Sequence, residues 1–218
     1  MNWRLVFARA GAALLALTVS LAAPASAATV PAKHLETAVL AGGCFWGVSA
    51  VFERLRGVSN VVSGFAGGDA STAHYETVST GTTGHAESVQ ITYDPGQISY
   101  TKLLEVYFAV AHDPTELDRQ GPDEGTQYRS EIFYTSPDQE RTAKAMIAKL
   151  TAAHVFPAPI VTKVEALRGF YAAEAYHQHF YDRNPNYPYI VYNDKPKVEA
   201  LEQKFPQLVK ADVVKTDN

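Results

Sequence analysis

Cys44 is the only cysteine in the 218-residue chain, and it directly follows a glycine pair, Gly42 and Gly43. Glu36 to Ala41 reads as a short buried strand, and Phe45, Val48, Phe52 and Leu55 then recur at the spacing of one helical face. The cysteine therefore falls where a strand gives way to a helix. A helix N-terminus offers free N–H groups and the positive end of the helix dipole, and both favour a thiolate. The two glycines leave room for a substrate to approach the backbone. The alternative is that Cys44 is a small, buried apolar residue, the usual fate of a free cysteine.

Glu87 is the natural partner for such a thiol. It opens a strand in which Val89, Ile91 and Tyr93 share one face, and it has their parity. A carboxyl turned toward apolar surroundings keeps its proton near neutrality and can donate it. If it curls into solvent at the strand end instead, it has no such role. Phe45 and Trp46 flank the cysteine, and Tyr75 and Tyr128 lie in or beside loops. Aromatic faces with a few hydroxyls would hold a methyl-sulfur group and hydrogen-bond a polar oxygen. His177 and His179 are two apart, and His74, His85 and His112 are scattered, so no metal is expected.

The elements that must position these groups follow from pattern. Strands are predicted at 36–41, 58–65, 88–93, 128–134 and 161–165. Helices are predicted from Phe45 toward Gly57, over 100–111, from an N-cap at Ser136 to about His154, and over 197–204. Residues 69–86 and 112–127 read as loops. No strict βαβ alternation or internal repeat is present, which favours a two-layer α+β domain.

Residues 1–27 have the layout of a secretory signal: Arg4 and Arg9, an apolar core from Gly11 to Ala23, and Ala25-Ser26-Ala27 as the cleavage signal. A cut after Ala27 predicts a periplasmic or secreted protein, with 28–35 as linker, one domain over 36–210 and a tail over 211–218. The mature chain would carry 17 basic and 23 acidic residues. That balance argues against nucleic acid or an anionic membrane surface as the main partner.

Four blocks carry a resemblance. Gly43-Cys44-Phe45-Trp46-Gly47, Gly84-His85-Ala86-Glu87, Gly125-Thr126-Gln127-Tyr128-Arg129-Ser130 and Tyr176-His177-Gln178 occur in that order. Together they resemble the blocks of the class A peptide-methionine sulfoxide reductases, over about residues 36–193. The resemblance implies a two-layer sandwich around a ferredoxin-like core and reduction of the S epimer of methionine sulfoxide, free or in oxidised proteins. It implies Cys44 as nucleophile, Phe45 and Trp46 as walls for the substrate methyl group, and Glu87 as the acid. It further implies Tyr75 and Tyr128 as hydroxyl donors, Asp123 as a nearby carboxylate, and a place for Gly43 and His177 around the substrate. Two departures stand out. The second, resolving cysteine of many members is absent, so an external thiol must act, either a thioredoxin-like protein or a glutathione-like molecule, with no bound cofactor. Phe65 stands where the family often has tyrosine. A monomer is expected.

Two rivals remain open at this level. His177 follows Cys44 by 133 residues, with Asn184 and Asn186 near it, a separation that papain-like hydrolases use. A binding module that traps oxidised protein without turnover is the other, although such a chain has no need of both Cys44 and Glu87.

Overall fold

The computed structural model describes residues 34–211. The expected signal segment, most of the 28–35 linker and nearly all of the 211–218 tail lie outside the described residues. Eight strands form among the described residues: β1 (Glu36–Gly42), β2 (Val58–Ala66), β3 (Ala86–Tyr93), β4 (Arg119–Gln120), β5 (Asp123–Glu124), β6 (Ser130–Tyr134), β7 (Lys163–Ala166) and β8 (Phe170–Ala172). Six of them build one sheet in the order β7-β6-β1-β3-β2-β8, and β4 and β5 make a separate two-stranded ribbon. Within the large sheet β6 and β7 pair parallel and all other neighbours pair antiparallel.

Alternation along the strands separates two faces. Ala38 and Leu40 of β1 and Val89, Ile91 and Tyr93 of β3 join the main core, while Val39, Ala41 and Ala86 join a smaller cluster on the opposite side. The main core also takes in the apolar faces of α1 (Phe45–Glu53), α3 (Tyr100–Val106), α4 (Pro137–Ala152) and α6 (Lys195–Lys204). This is the two-layer α+β arrangement that the pattern predicted. Phe45, Phe52, Leu40, Leu55 and Ile91 are fully buried, and each such side chain contributes about 1.5–3 kcal/mol to folding. Among the described residues, no helix is long and apolar enough to cross a membrane.

Several elements differ from the sequence reading. The 69–86 segment is not all loop: it holds a 3-10 turn at Ala70–Thr72, the single-turn helix α2 (Tyr75–Val78), and the first residue of β3. The 112–127 segment contains the β4–β5 ribbon and a 3-10 turn at Thr126–Tyr128, so Tyr128 lies before β6 rather than in it. These pieces are shorter than a hydrophobic period, so no pattern betrays them. The strand expected at 161–165 starts two residues later and ends one later, and β8 went unseen because its pairing with β2 is tertiary. His177 closes a 3-10 turn, and His179 takes a left-handed conformation at the start of α5 (Phe180–Arg183). The Ser136 cap holds, its Oγ accepting from the Gln139 amide. The helix predicted over 100–111 starts as α3 and ends in a π-helical stretch, Tyr107–Ala111.

Candidate active site

Cys44 is the N-cap residue of α1, separated from β1 by Gly43 alone. Gly43 turns the chain with φ +85°, and a Cβ there would lie 2.5 Å from Gln120 Cγ, so only glycine fits. Gln120 is itself fixed by accepting from the Asp113 amide and donating to the Asp113 carbonyl. Beneath this turn the Tyr107 hydroxyl donates to the Ala41 carbonyl at 2.6 Å. His112 Nδ1 lies 3.1 Å from the Tyr107 carbonyl, which can only accept, so Nδ1 carries the proton and Nε2 accepts from Ser130 Oγ at 2.7 Å. Burial lowers the His112 pKa to about 3, so the imidazole stays neutral. Ser130 is 2% exposed, so this serine–histidine pair braces the nucleophile turn and meets no substrate.

Glu87 faces the helix layer, as its parity required, and is 3% exposed. Its Oε2 accepts the first-turn amide of Phe45 at 3.0 Å, which ties β3 to the N-terminus of α1 beside Cys44. Burial pushes its pKa up to about 8 against the opposing pull of the Phe45 N–H, with Asp123 and Asp194 adding repulsion. Glu87 therefore holds a proton at neutral pH, and the solvent-facing alternative is overturned.

The thiol corrects a simpler expectation. Cys44 is 8% exposed, and burial raises its pKa well above the ordinary value, with Glu87 and Asp194 adding to the rise. The Trp46 amide at the helix N-terminus opposes this and loses. In the resting site desolvation outweighs the dipole, so the resting form is the thiol.

The aromatic residues enclose these two groups. Trp46 stacks on Phe180 with ring centres 3.8 Å apart and meets Tyr189 edge-on at 5.8 Å. Its indole N–H donates to His177 Nδ1 at 3.1 Å, so His177 carries its proton on Nε2. That nitrogen is buried with no hydrogen-bond partner among the described residues. The His177 ring lies 5.0 Å from that of Phe45 and 4.3 Å from that of Tyr75, and burial lowers its pKa. The Tyr75 amide donates to Glu174 at 3.1 Å. Tyr75 and Tyr128 are each raised in pKa, by burial first and then by the Glu87 charge, so both hydroxyls remain donors. Arg129 locks the Tyr128 turn: its Nε donates to Glu131 at 2.6 Å, and its terminal nitrogens donate to the carbonyls of Thr126 and Gly84.

Cys44, Glu87, Tyr75, Tyr128, Asp123, Phe45, Trp46, Gly43 and His177 are thus gathered at one place from six separate segments. Sequence reasoning missed Tyr189, whose hydroxyl donates to Asp123 Oδ2, and Asp194, buried behind α1. Only the tyrosine density of 187–192 hinted at the first. Among the described residues, no group of three or more His, Cys, Asp or Glu side chains could hold a metal ion. The hydrolase reading fails on geometry as well, because His177 is spent on Trp46 while the carboxyl of Glu87 approaches the thiol.

The family model described as "Peptide methionine sulfoxide reductase" matches residues 36–209. The chain is 59% identical to peptide methionine sulfoxide reductase MsrA 2 of Mesorhizobium japonicum over 173 residues, 79% of this chain and 89% of the relative. It is 49% identical to MsrA 2 of Synechocystis sp. over 180 residues, 83% of this chain and 84% of that one. Among solved structures, the reduced form of Mxr1 from Saccharomyces cerevisiae superposes with a TM-score of 0.65 at 33% identity, covering 72% of this chain and 89% of that one. Methionine sulfoxide reductase A of Corynebacterium diphtheriae gives 0.62 at 36% identity, over 69% and 76% of the two chains.

Proposed function

The chain belongs to the peptide methionine sulfoxide reductase family and reduces methionine sulfoxide, and on that premise we propose how its own residues divide the work. Cys44 is the nucleophile and Glu87 the acid. The observation that carries this is a buried carboxyl, its pKa raised by that burial, whose oxygen is held 3.0 Å from the amide following the thiol.

The substrate methyl group rests against Phe45 and Trp46, and its oxygen accepts hydrogen bonds from Glu87, Tyr75 and Tyr128. That contact favours the protonated carboxyl, so the thiol becomes the group that gives up its proton. With that thiol proton released to solvent, sulfur attacks sulfur while Glu87 passes its own proton to the oxygen and afterwards takes one back from solvent. The oxygen moves to Cys44, which is oxidised by two electrons to a sulfenic acid, and methionine leaves. Asp123, held by Tyr189, keeps a polar flank beside the pocket, and Gly43 and His177 shape its walls.

One cysteine in the chain means that no internal disulfide can discharge the sulfenic acid. Two external thiol groups, from a thioredoxin-like protein or a glutathione-like molecule, reduce it to the thiol and water and become a disulfide. The enzyme acts on the S epimer, free or in oxidised proteins, as an exported monomer after cleavage behind Ala27. Mature protein beginning at Ala28 in the periplasmic or culture fraction is the expected result, and an intact N-terminus in the cytoplasm refutes export.

The test is turnover of a chromophore-labelled methionine sulfoxide, resolved by epimer, with dithiothreitol as reductant. Turnover of the S epimer alone is expected, abolished in Cys44→Ser and slowed about 10²–10⁴-fold in Glu87→Gln. Full activity in Cys44→Ser refutes the assignment.

A further inference from the structure

Asp194 is completely buried, the only acidic side chain among the described residues with no exposure at all. It ends the π-helical stretch Ile190–Asp194 and leads into α6. Its Oδ1 lies 3.4 Å from Lys197 Nζ, a loose ion pair, and its Oδ2 is buried with no hydrogen-bond partner among the described residues. A buried carboxylate left half satisfied is costly, which asks for a reason.

Gly47 supplies the geometric half of that reason. A Cβ on Gly47 would lie 2.1 Å from Asp194 Oδ1 and 2.7 Å from its Cγ. The carboxylate therefore sits in the space a side chain would fill, against the first turn of α1, three residues from Cys44. The last glycine of the Gly43-Cys44-Phe45-Trp46-Gly47 block is what admits it.

We propose that Asp194 is a positioning residue for the reaction: its buried charge, placed against the first turn of α1, keeps Cys44 as a thiol and Glu87 as an acid until substrate arrives. The proposal rests on the roles given above to Cys44 and Glu87. Burial is the larger cause at both groups, and Asp194 adds repulsion, ranking after Glu87 at the thiol and after Asp123 at the carboxyl. Its own pKa is pushed up by burial to about 6, with Lys197 holding it down, so it is ionised at neutral pH. The other charged or titratable groups around Glu87 are Cys44, Asp123, Tyr75 and Tyr128, and the Phe45 amide alone favours its carboxylate from the backbone. Around Asp194 they are Lys197, Asp123, Tyr189 and Tyr181. Thiolates, not thiols, are taken by stray electrophiles and oxidants. With no second cysteine to rescue it, a resting site that withholds its thiolate is protected.

The experiment uses Asp194→Asn, which keeps shape and removes charge. Two readouts are followed in the intact protein: the pH dependence of Cys44 alkylation by iodoacetamide, and that of kcat/KM. The asparagine variant is expected to alkylate several-fold faster at neutral pH. The acid limb of its kcat/KM profile should move about one pH unit lower, the size of a charge interaction at this range. A loss of packing would change rate or stability without moving either midpoint. Wild-type protein gives a reading that needs no variant to fold: the Glu87 carboxyl carbon, followed by NMR, should show a small step as Asp194 ionises near pH 6 before its own step near 8. A single step, or unmoved midpoints in folded Asp194→Asn, overturns the proposal. Wild-type turnover that ignores Cys44 overturns the underlying reading instead, and the alkylation result stands apart from it.

Discussion

Replacing Glu87 by glutamine should reshape the pH dependence of stability, because the carboxyl is 3% exposed and its pKa is raised from an ordinary 4.5 to about 8. Glutamine keeps an oxygen to accept the Phe45 amide but cannot ionise. A folded-state pKa above the unfolded one means that the folded chain binds the proton more tightly. The resulting stability is fully present below pH 4.5 and is lost as pH rises toward 8. At about 1.4 kcal/mol per pH unit, the interval amounts to roughly 5 kcal/mol, a large part of the 5–15 kcal/mol of a typical domain. The assay is urea unfolding of the wild type and Glu87→Gln at a series of pH values from 5 to 9. The two should be closest at acid pH, and the variant should gain several kcal/mol on the wild type by pH 9. Parallel curves would refute the buried-acid reasoning, since they would place Glu87 at an ordinary pKa in the folded chain.

Three further outcomes follow from the same geometry. Because Glu87 yields its proton before Cys44 does, the resting pair carries one proton too many at pH 7; kcat/KM should therefore rise through about pH 8, and Glu87→Gln should erase that limb. Arg129→Met leaves Glu131, 1% exposed, buried without its ion-pair partner; a loss of about 3–5 kcal/mol in urea unfolding is expected, with a fall in kcat as the Tyr128 turn loosens. Gly43→Ala meets both a positive φ and the Gln120 side chain; it should cost about 1–3 kcal/mol and depress kcat well beyond what the folded fraction explains.

The sequence was most legible where one element decides the outcome. The helical spacing from Phe45, the parity of Glu87 with Val89, Ile91 and Tyr93, and the Ser136 cap each report local backbone geometry, and each was found from sequence, although α1 ends at Glu53 and leaves Leu55 outside it, bridged to Val209. Tyr128 was misplaced and β8 was missed because a 3-10 turn and a three-residue strand are set by what they pack on. The thiol is the instructive case. Its position at a helix N-terminus argued for a thiolate, yet the burial and the carboxyls of Glu87 and Asp194 that outweigh the dipole come from other segments. Asp194 could not be found from sequence at all, since Gly47 reads as one more glycine until the side chain that fills its space is seen.

The central claim is that Cys44 itself takes the oxygen, and a single turnover tests it most directly. Reduced enzyme is mixed with excess S-epimer substrate in the absence of any thiol, and methionine and intact protein mass are measured together. The account predicts one methionine per chain and a protein heavier by one oxygen atom, located on Cys44 as a sulfenic acid that a dimedone-type reagent traps. Methionine formed with Cys44 unmodified, or no methionine until a thiol is added, would contradict it.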